Sequence, residues 1–444
     1  MWRKGIILLK TCIHLTHSII FAYILNLTLL KNTTHHIIYL FAVCILSFLL
    51  PFYRIAVVIA IGLIAVNWLL QGDFRYKYNC FIQHKYLWLL CFFYLAYLIG
   101  LSWSNNLDYG VFDITVKLAL IIFPLIIGTS EKFSGAELRK IFFSFLGGNI
   151  LAIIICLSLA FWHYQQSGFV SQQYFFYTGF SYFIHPSYFA MYCCLSLAIC
   201  FWLLFSRTIP KQTSSKIIIS VLIVFFICAI ILLSSKAGII TMMLCIALFL
   251  AYIIFIRRKY LAGIVVVICF FLSIFLVIRN VSQLSERVKW MYNALTEKNI
   301  DYSSGESSEV RLLIWKTSCR IIAEHPLGVG TGDVKDVLIE QYHKAKMSGA
   351  EAKRLNAHNQ FLQTGIALGF PGLLILLALF AIPAYQCLRQ KNFLYLMFLI
   401  ICGINFLVES MLETQTGVVF FAFFNTLLFV DLFSEITKNK SVLQ

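Results

Sequence analysis

Apolar blocks recur along the whole chain, at about 5–30, 34–51, 54–70, 86–103, 113–128, 141–161, 187–205, 217–233, 237–255, 260–278, 360–385, 393–410 and 416–434. Each is close to the roughly 20 residues that a helix needs to cross a hydrocarbon layer. They are filled by Ile, Leu, Val and Phe without strict period-2 alternation, whereas a barrel strand is roughly 10 residues long and alternates. The predicted fold is therefore all-α, a polytopic membrane protein of about 12–13 transmembrane helices. Only 12% of the 444 residues are charged and mean hydropathy is +0.86. Soluble domains carry roughly 25% charged residues, so a water-soluble core cannot absorb this chain.

Lys and Arg number 35 against 19 Asp and Glu, a net charge of +16. Placement, not the total, shows what this excess means. Counting spans alternately, Arg75, Lys77, Lys85, Lys132, Arg139, Lys140, Arg207, Lys211, Lys216, Arg257, Arg258, Lys259, Arg389, Lys391, Lys438 and Lys440 fall on one side. Short loops on the other side contribute only Arg54 and Lys236. Such asymmetry marks the first side as cytoplasmic and argues against a nucleic-acid partner. Segment 5–30, interrupted by Lys10, His14 and His17, is the weakest span and suits an interfacial position.

The same parity puts residues 279–358 outside the cytoplasm. That stretch holds 12 basic and 10 acidic side chains, more than half of the acids in the protein, and is expected to be an aqueous module. The domain boundaries that follow are 1–278, a transmembrane helical region; 279–358, a large periplasmic loop; and 359–444, the C-terminal helices and tail, together one integrated domain. Within the loop, Glu309 to Ala323 has the pattern of an amphipathic helix, preceded by the turn-rich 301–308 with its serine caps and ended by His325-Pro326. A second helix is expected from Val334 to about Lys346, after the glycine-rich 328–333.

Most of the 14 cysteines lie inside apolar blocks, as Cys193, Cys194, Cys228 and Cys245 do, and pack there as small hydrophobes. Cys80 and Cys319 lie outside, with no C-x-x-C spacing, so neither zinc nor a redox pair is indicated. The glycine-rich 328–333 lacks the Lys-Ser/Thr of a phosphate-binding loop. Asp333 and Asp336 have no further ligands at metal-binding spacing.

Four places can carry chemistry. His358 sits where the loop re-enters the membrane, next to a helix start whose dipole favours the neutral imidazole, a form able to act as a general base; the plainer alternative is a capping or surface histidine. Arg311 lies four residues before Trp315 on the loop helix; its guanidinium can grip a phosphate in bidentate fashion while Trp315 meets the bilayer or a sugar. An ordinary surface arginine paired with Glu309 or Glu306 is the alternative. Lys236, alone on the side that disfavours positive charge, suits a lipid diphosphate, or snorkels to headgroups. His185-Pro186 ends an uncharged outer loop, 162–186, rich in Tyr, Phe and Gln; that composition fits sugar binding and equally an aromatic belt at the membrane surface.

Taken in order, Ser235-Lys236, Arg311 with Trp315, His325 to Gly330, and His358-Asn359 with Gly369 and Gly372 resemble the O-antigen ligase family. The resemblance covers about residues 34 to 430 and is densest over 307–375. It departs at Lys236, where the family often has Arg and where lysine holds a phosphate only as a point charge; residues 1–33 have no clear counterpart. The resemblance implies a membrane glycosyltransferase of the bacterial inner membrane with its site facing the periplasm. Its donor would be a polyprenyl-diphosphate-linked glycan, its acceptor the lipid A-core, with no metal or other cofactor. His358 would be the base and Arg311 the stabiliser of the departing diphosphate, with Lys236, His185, Trp315 and Asn359 binding substrate. A polysaccharide polymerase using the same donor and a protein-directed oligosaccharyltransferase remain alternatives, as does a transporter or flippase. Transport is disfavoured because the spans are nearly free of acids and show no internal repeat.

Overall fold

A computed structural model describes residues 32–205, 213–256 and 308–442. Helices α1 (Asn32–Leu49), α2 (Arg54–Gln71), α3 (Phe74–Gln83), α4 (Lys85–Gly100), α5 (Leu107–Lys117), α6 (Ala119–Ile127) and α7 (Gly135–Gln166) come first. They are followed by α8 (Pro186–Phe205), α9 (Thr213–Leu233) and α10 (Lys236–Ala251). After the undescribed stretch come α11 (Ser308–Glu324), α12 (Val334–Lys344), α13 (Ser348–Ala352), α14 (Gln360–Gln390), α15 (Phe393–Val408) and α16 (Gln415–Val442). Among the described residues ten helical stretches are long and apolar enough to cross a membrane, and α15 is a shorter apolar helix. The all-α, polytopic expectation holds. The blocks at 5–30 and 260–278, and the serine turn at 301–307, lie outside the described residues.

The helices run alternately between two ends. At one end Asp333 meets Asn105 and Asn106, Phe52 meets Phe183, and Ser187 meets Ser235. At the other, His84 meets Gly128, His36 meets Glu131 and Glu137, and Tyr252 meets Phe393. The second end carries Arg75, Lys77, Lys85, Lys132, Arg139, Lys140, Arg389 and Lys391, so the charge asymmetry of the sequence is an asymmetry of the fold.

Burial separates helices that hydropathy cannot. In α8 and α16, 83% of the apolar window is buried, against 22% in α2 and 28% in α9. All four are apolar all round, as lipid or protein demands equally of a spanning helix. The centre is aromatic: Phe420, Phe421 and Phe424 of α16 meet Phe398 of α15, and Phe145 of α7 meets Phe420 and Phe424.

Two expectations need correction. The basic segment 71–85, which separates two apolar blocks and reads from the sequence as a loop, contains α3. There Lys77 is buried, its ammonium donating to the Trp68 carbonyl at 2.5 Å and lying over the Trp68 ring. The spans are also not nearly free of acid. The span expected at 113–128 starts at Leu107 and breaks after Lys117, and it carries Asp113 and Lys117 as a buried pair that Glu413 joins.

The described part of the large loop is built into the bundle rather than standing apart from it. Helix α14 bends at Gly369 (φ 62°, ψ −157°), a backbone region open in practice to glycine alone. The bend leaves carbonyls of Ile366 and Ala367 without helical donors, the second because Pro371 has no N–H to give it. Val329 and Gly330 of the loop supply those donors at 2.9 and 3.1 Å, and the Phe370 N–H bonds the Pro326 carbonyl at 2.9 Å. A β-carbon on Gly369 would stand 2.0 Å from the Pro326 oxygen, and one on Gly328 would stand 2.3 Å from the Ala367 oxygen. Further on, Thr331 donates to the Tyr97 carbonyl at 2.6 Å, and the Asp333 carboxylate accepts from the backbone of Asn105 and Asn106. Helix α11 ends at Glu324, just before His325-Pro326, and α12 covers the second predicted helix.

Candidate functional site

His358 is the last loop residue but one before α14. Its backbone is left-handed (φ 45°), a conformation held by the Asn356 side chain, whose oxygen accepts the His358 N–H at 3.0 Å. The preceding Ala357 N–H donates to Gln363 Oε1 at 3.1 Å. Asn359 follows as the N-cap of α14, its oxygen accepting from Phe361 and Leu362 at 2.9 and 3.1 Å. The backbone that carries the imidazole is therefore fixed on both sides. Asn359, assigned to substrate, has its side-chain oxygen committed to the helix start.

The ring Nδ1 lies 3.0 Å from Oε1 of Glu409, a residue in the non-helical turn between α15 and α16. Burial pushes the Glu409 carboxyl up, but the His358 hydrogen bond and the charges of His358, Arg311 and His185 outweigh it and hold the group below its usual range. An ionised carboxylate only accepts hydrogen bonds, so a neutral His358 ring beside it would carry its proton on Nδ1 and present Nε2 as its acceptor. Arg311, on the first turn of α11, donates through Nη1 to the Val408 carbonyl at 2.9 Å, and its Nη2 stands 3.7 Å from Glu409 Oε2. Its side chain remains 35% exposed, so part of its donor fork faces outward.

His185 and Lys236 adjoin each other through their neighbours. Ser187 Oγ lies 3.5 Å from Ser235 Oγ, and Ser235 caps α10 by accepting from Gly238. Both His185 and Lys236 are exposed. Lys236 opens α10, where backbone N–H groups favour an anion. Trp315 is half-buried against the core, with its indole nitrogen enclosed, so it acts as packing between α11 and the bundle more than as an open stacking surface.

The fold thus unites His358, Arg311 and the field of His185 around Glu409. Sequence reasoning missed Glu409, which is 51 residues from its histidine. Its only signal was an acid at the water end of an apolar block, Val408-Glu409-Ser410, in a chain poor in acids. An imidazole hydrogen-bonded to a carboxylate, with a guanidinium beside it, is an arrangement able to take up a proton and to meet developing negative charge.

Residues 218–377 match the model of a protein family described as O-antigen ligase. No curated protein matches the chain. The matched segment contains Lys236, Arg311, Trp315, His358, Asn359, Gly369 and Gly372, whereas His185 and Glu409 lie outside it. With ten candidate spans among its described residues, the molecule is a multi-pass membrane protein. The match supports its assignment to the O-antigen ligase family, and with it a ligase- or polymerase-type function.

Proposed function

We propose that the chain is an O-antigen ligase, transferring a glycan from a polyprenyl-diphosphate carrier to the lipid A-core oligosaccharide at the periplasmic face of the inner membrane. The observation that carries this reading is the His358–Glu409–Arg311 cluster at the membrane end of the loop. In the reaction a core hydroxyl attacks the anomeric carbon of the donor. Its proton passes to His358 Nε2, the new glycosidic bond forms, and the bond from sugar to phosphate breaks with its electron pair left on the diphosphate. Glu409 holds the ring and offsets the imidazolium charge, while Arg311 and Lys236 meet the charge of the leaving diphosphate.

Lipopolysaccharide from a deletion strain, complemented with wild type or with His358→Ala, tests the reading. Loss of long chains with build-up of lipid-linked glycan, restored only by wild type, is the expected result. A single repeat left on the core would transfer the assignment to a polymerase, and donor held on the inner face would transfer it to a flippase.

A further inference from the structure

We propose that Lys117 is a positioning residue for transfer: through Glu413 it fixes the turn that presents Glu409 to His358. The inference rests on the reading of His358 and Glu409 as the acid–base pair.

Lys117 ends α5 inside a membrane-spanning stretch and is fully buried. A charge there is costly and marks function by default. Asp113, one helical turn earlier, hydrogen bonds its ammonium and already neutralises it within the same helix. Local folding therefore needs no third charge. Yet Glu413, 296 residues further on, adds its Oε1 at 3.0 Å. What this third charge accomplishes is a tie between two distant elements.

The tie falls on an unusual stretch of backbone. Between Val408 and Gln415 no regular α-helix runs: Glu409 and Thr414 are extended and Met411–Glu413 form a single 3-10 turn. Non-helical backbone packed among membrane-spanning helices persists only where protein supports it. Arg311 and His358 reach Val408 and Glu409, Tyr188 hydrogen bonds Thr414, and two further side chains hold the 3-10 turn between them. Lys117 holds Glu413, and Gln360 Oε1 accepts the Leu412 N–H at 2.6 Å.

Those two supports belong to one buried network. The Lys117 ammonium sits 4.6 Å above the Tyr97 ring; the Tyr97 hydroxyl is 3.0 Å from Thr364 Oγ1; and Gln360 Nε2 donates to that same oxygen at 3.1 Å. Gln360 is two residues beyond His358, and Glu413 is four beyond Glu409. Lys117 therefore sits where the segments supplying the two members of the pair are held in register.

Glu413→Met removes the tie and leaves Lys117 and Asp113 as a balanced buried pair, so the protein should accumulate in the membrane and melt close to wild type. Transfer in purified protein is expected to fall roughly 10- to 100-fold with donor KM unchanged, the scale of an ångström-sized misplacement. A merely structural role is separated by repeating the substitution in a Glu409→Gln background. Positioning through Glu409 predicts little further loss there, whereas general damage multiplies the two losses. Glu413→Gln, isosteric and uncharged, is the second variant should Glu413→Met fail to insert, and the same non-additivity with a smaller loss is expected. Full activity of the variant that inserts, or losses that multiply, would overturn the inference while leaving the pair intact. Full activity of Glu409→Gln itself would overturn both.

Discussion

His358 Nδ1 and Glu409 Oε1 stand 3.0 Å apart across 51 residues of sequence, one on the re-entry of the loop and the other on the turn after α15. The contact sets the tautomer of the imidazole. Glu409→Gln is expected to lower transfer by about 10²-fold or more, because an amide no longer selects Nδ1–H. The Glu409 carboxyl is held below its usual range, and the sign of its linkage follows. Its contribution to stability is present above the ordinary carboxylate range and is lost as pH falls through the lowered folded value. Thermal melts should show the variant and wild type converging only at strongly acid pH. Convergence near pH 6 would mean that the carboxyl is not held down.

Arg311→Lys keeps the charge but not the geometry. The guanidinium reaches the Val408 carbonyl with one nitrogen and the Glu409 carboxylate with the other, and an ammonium cannot do both while still facing a diphosphate. Transfer is expected to fall by about 10²-fold. Near-normal turnover in purified protein would make Arg311 a surface charge.

The sequence made the spans legible, because a helix crossing lipid must be apolar over its whole length. His358 and Arg311 stood out as candidates, as polar residues at the edge of apolar blocks, and the structure brings both to Glu409. Partnerships were not legible. Glu409 and Glu413 are separated from His358 and Lys117 by long stretches of chain, and only the folded bundle brings them together. Asn359 is the opposite case: a cap is a local signal, Asn followed by a helix, and the structure has its oxygen accepting from Phe361 and Leu362. Helix α3 escaped because its aromatic and basic residues carry neither a clean apolar stripe nor the length of a span.

Gly369→Ala tests the join between loop and bundle. The substitution adds a β-carbon 2.0 Å from the Pro326 oxygen at a φ of 62°. Left-handed strain and overpacking together are expected to cost roughly 2–5 kcal/mol. A lower melting temperature in detergent, with faster proteolysis of the loop, is the expected outcome. An unchanged melt would mean that the loop does not dock on the bend.

Cys319 offers a test of orientation without an engineered site. It is an exposed, free thiol on α11, the helix that the charge asymmetry assigns to the periplasm. A membrane-impermeant maleimide should label wild type in intact spheroplasts more strongly than Cys319→Ser. If the difference appears only after the membrane is broken, the loop faces the cytoplasm and the lipid A-core cannot be its acceptor.

His358→Ala separates base from binder. The side chain is held mainly through Glu409, and the backbone around it is fixed independently by Asn356, Gln363 and Asn359, so the variant should insert and melt much as wild type does. Transfer should fall by roughly 10²- to 10⁴-fold, the usual worth of a positioned base. Affinity for the lipid-linked donor should survive, because its diphosphate is assigned to Arg311 and Lys236. The two quantities are measured in one purified preparation. A parallel fall in both would make His358 a donor ligand and move the base elsewhere. If neither changed, His358 would be a left-handed residue that serves only to turn the chain into α14, and the cluster around Glu409 would have no part in the chemistry.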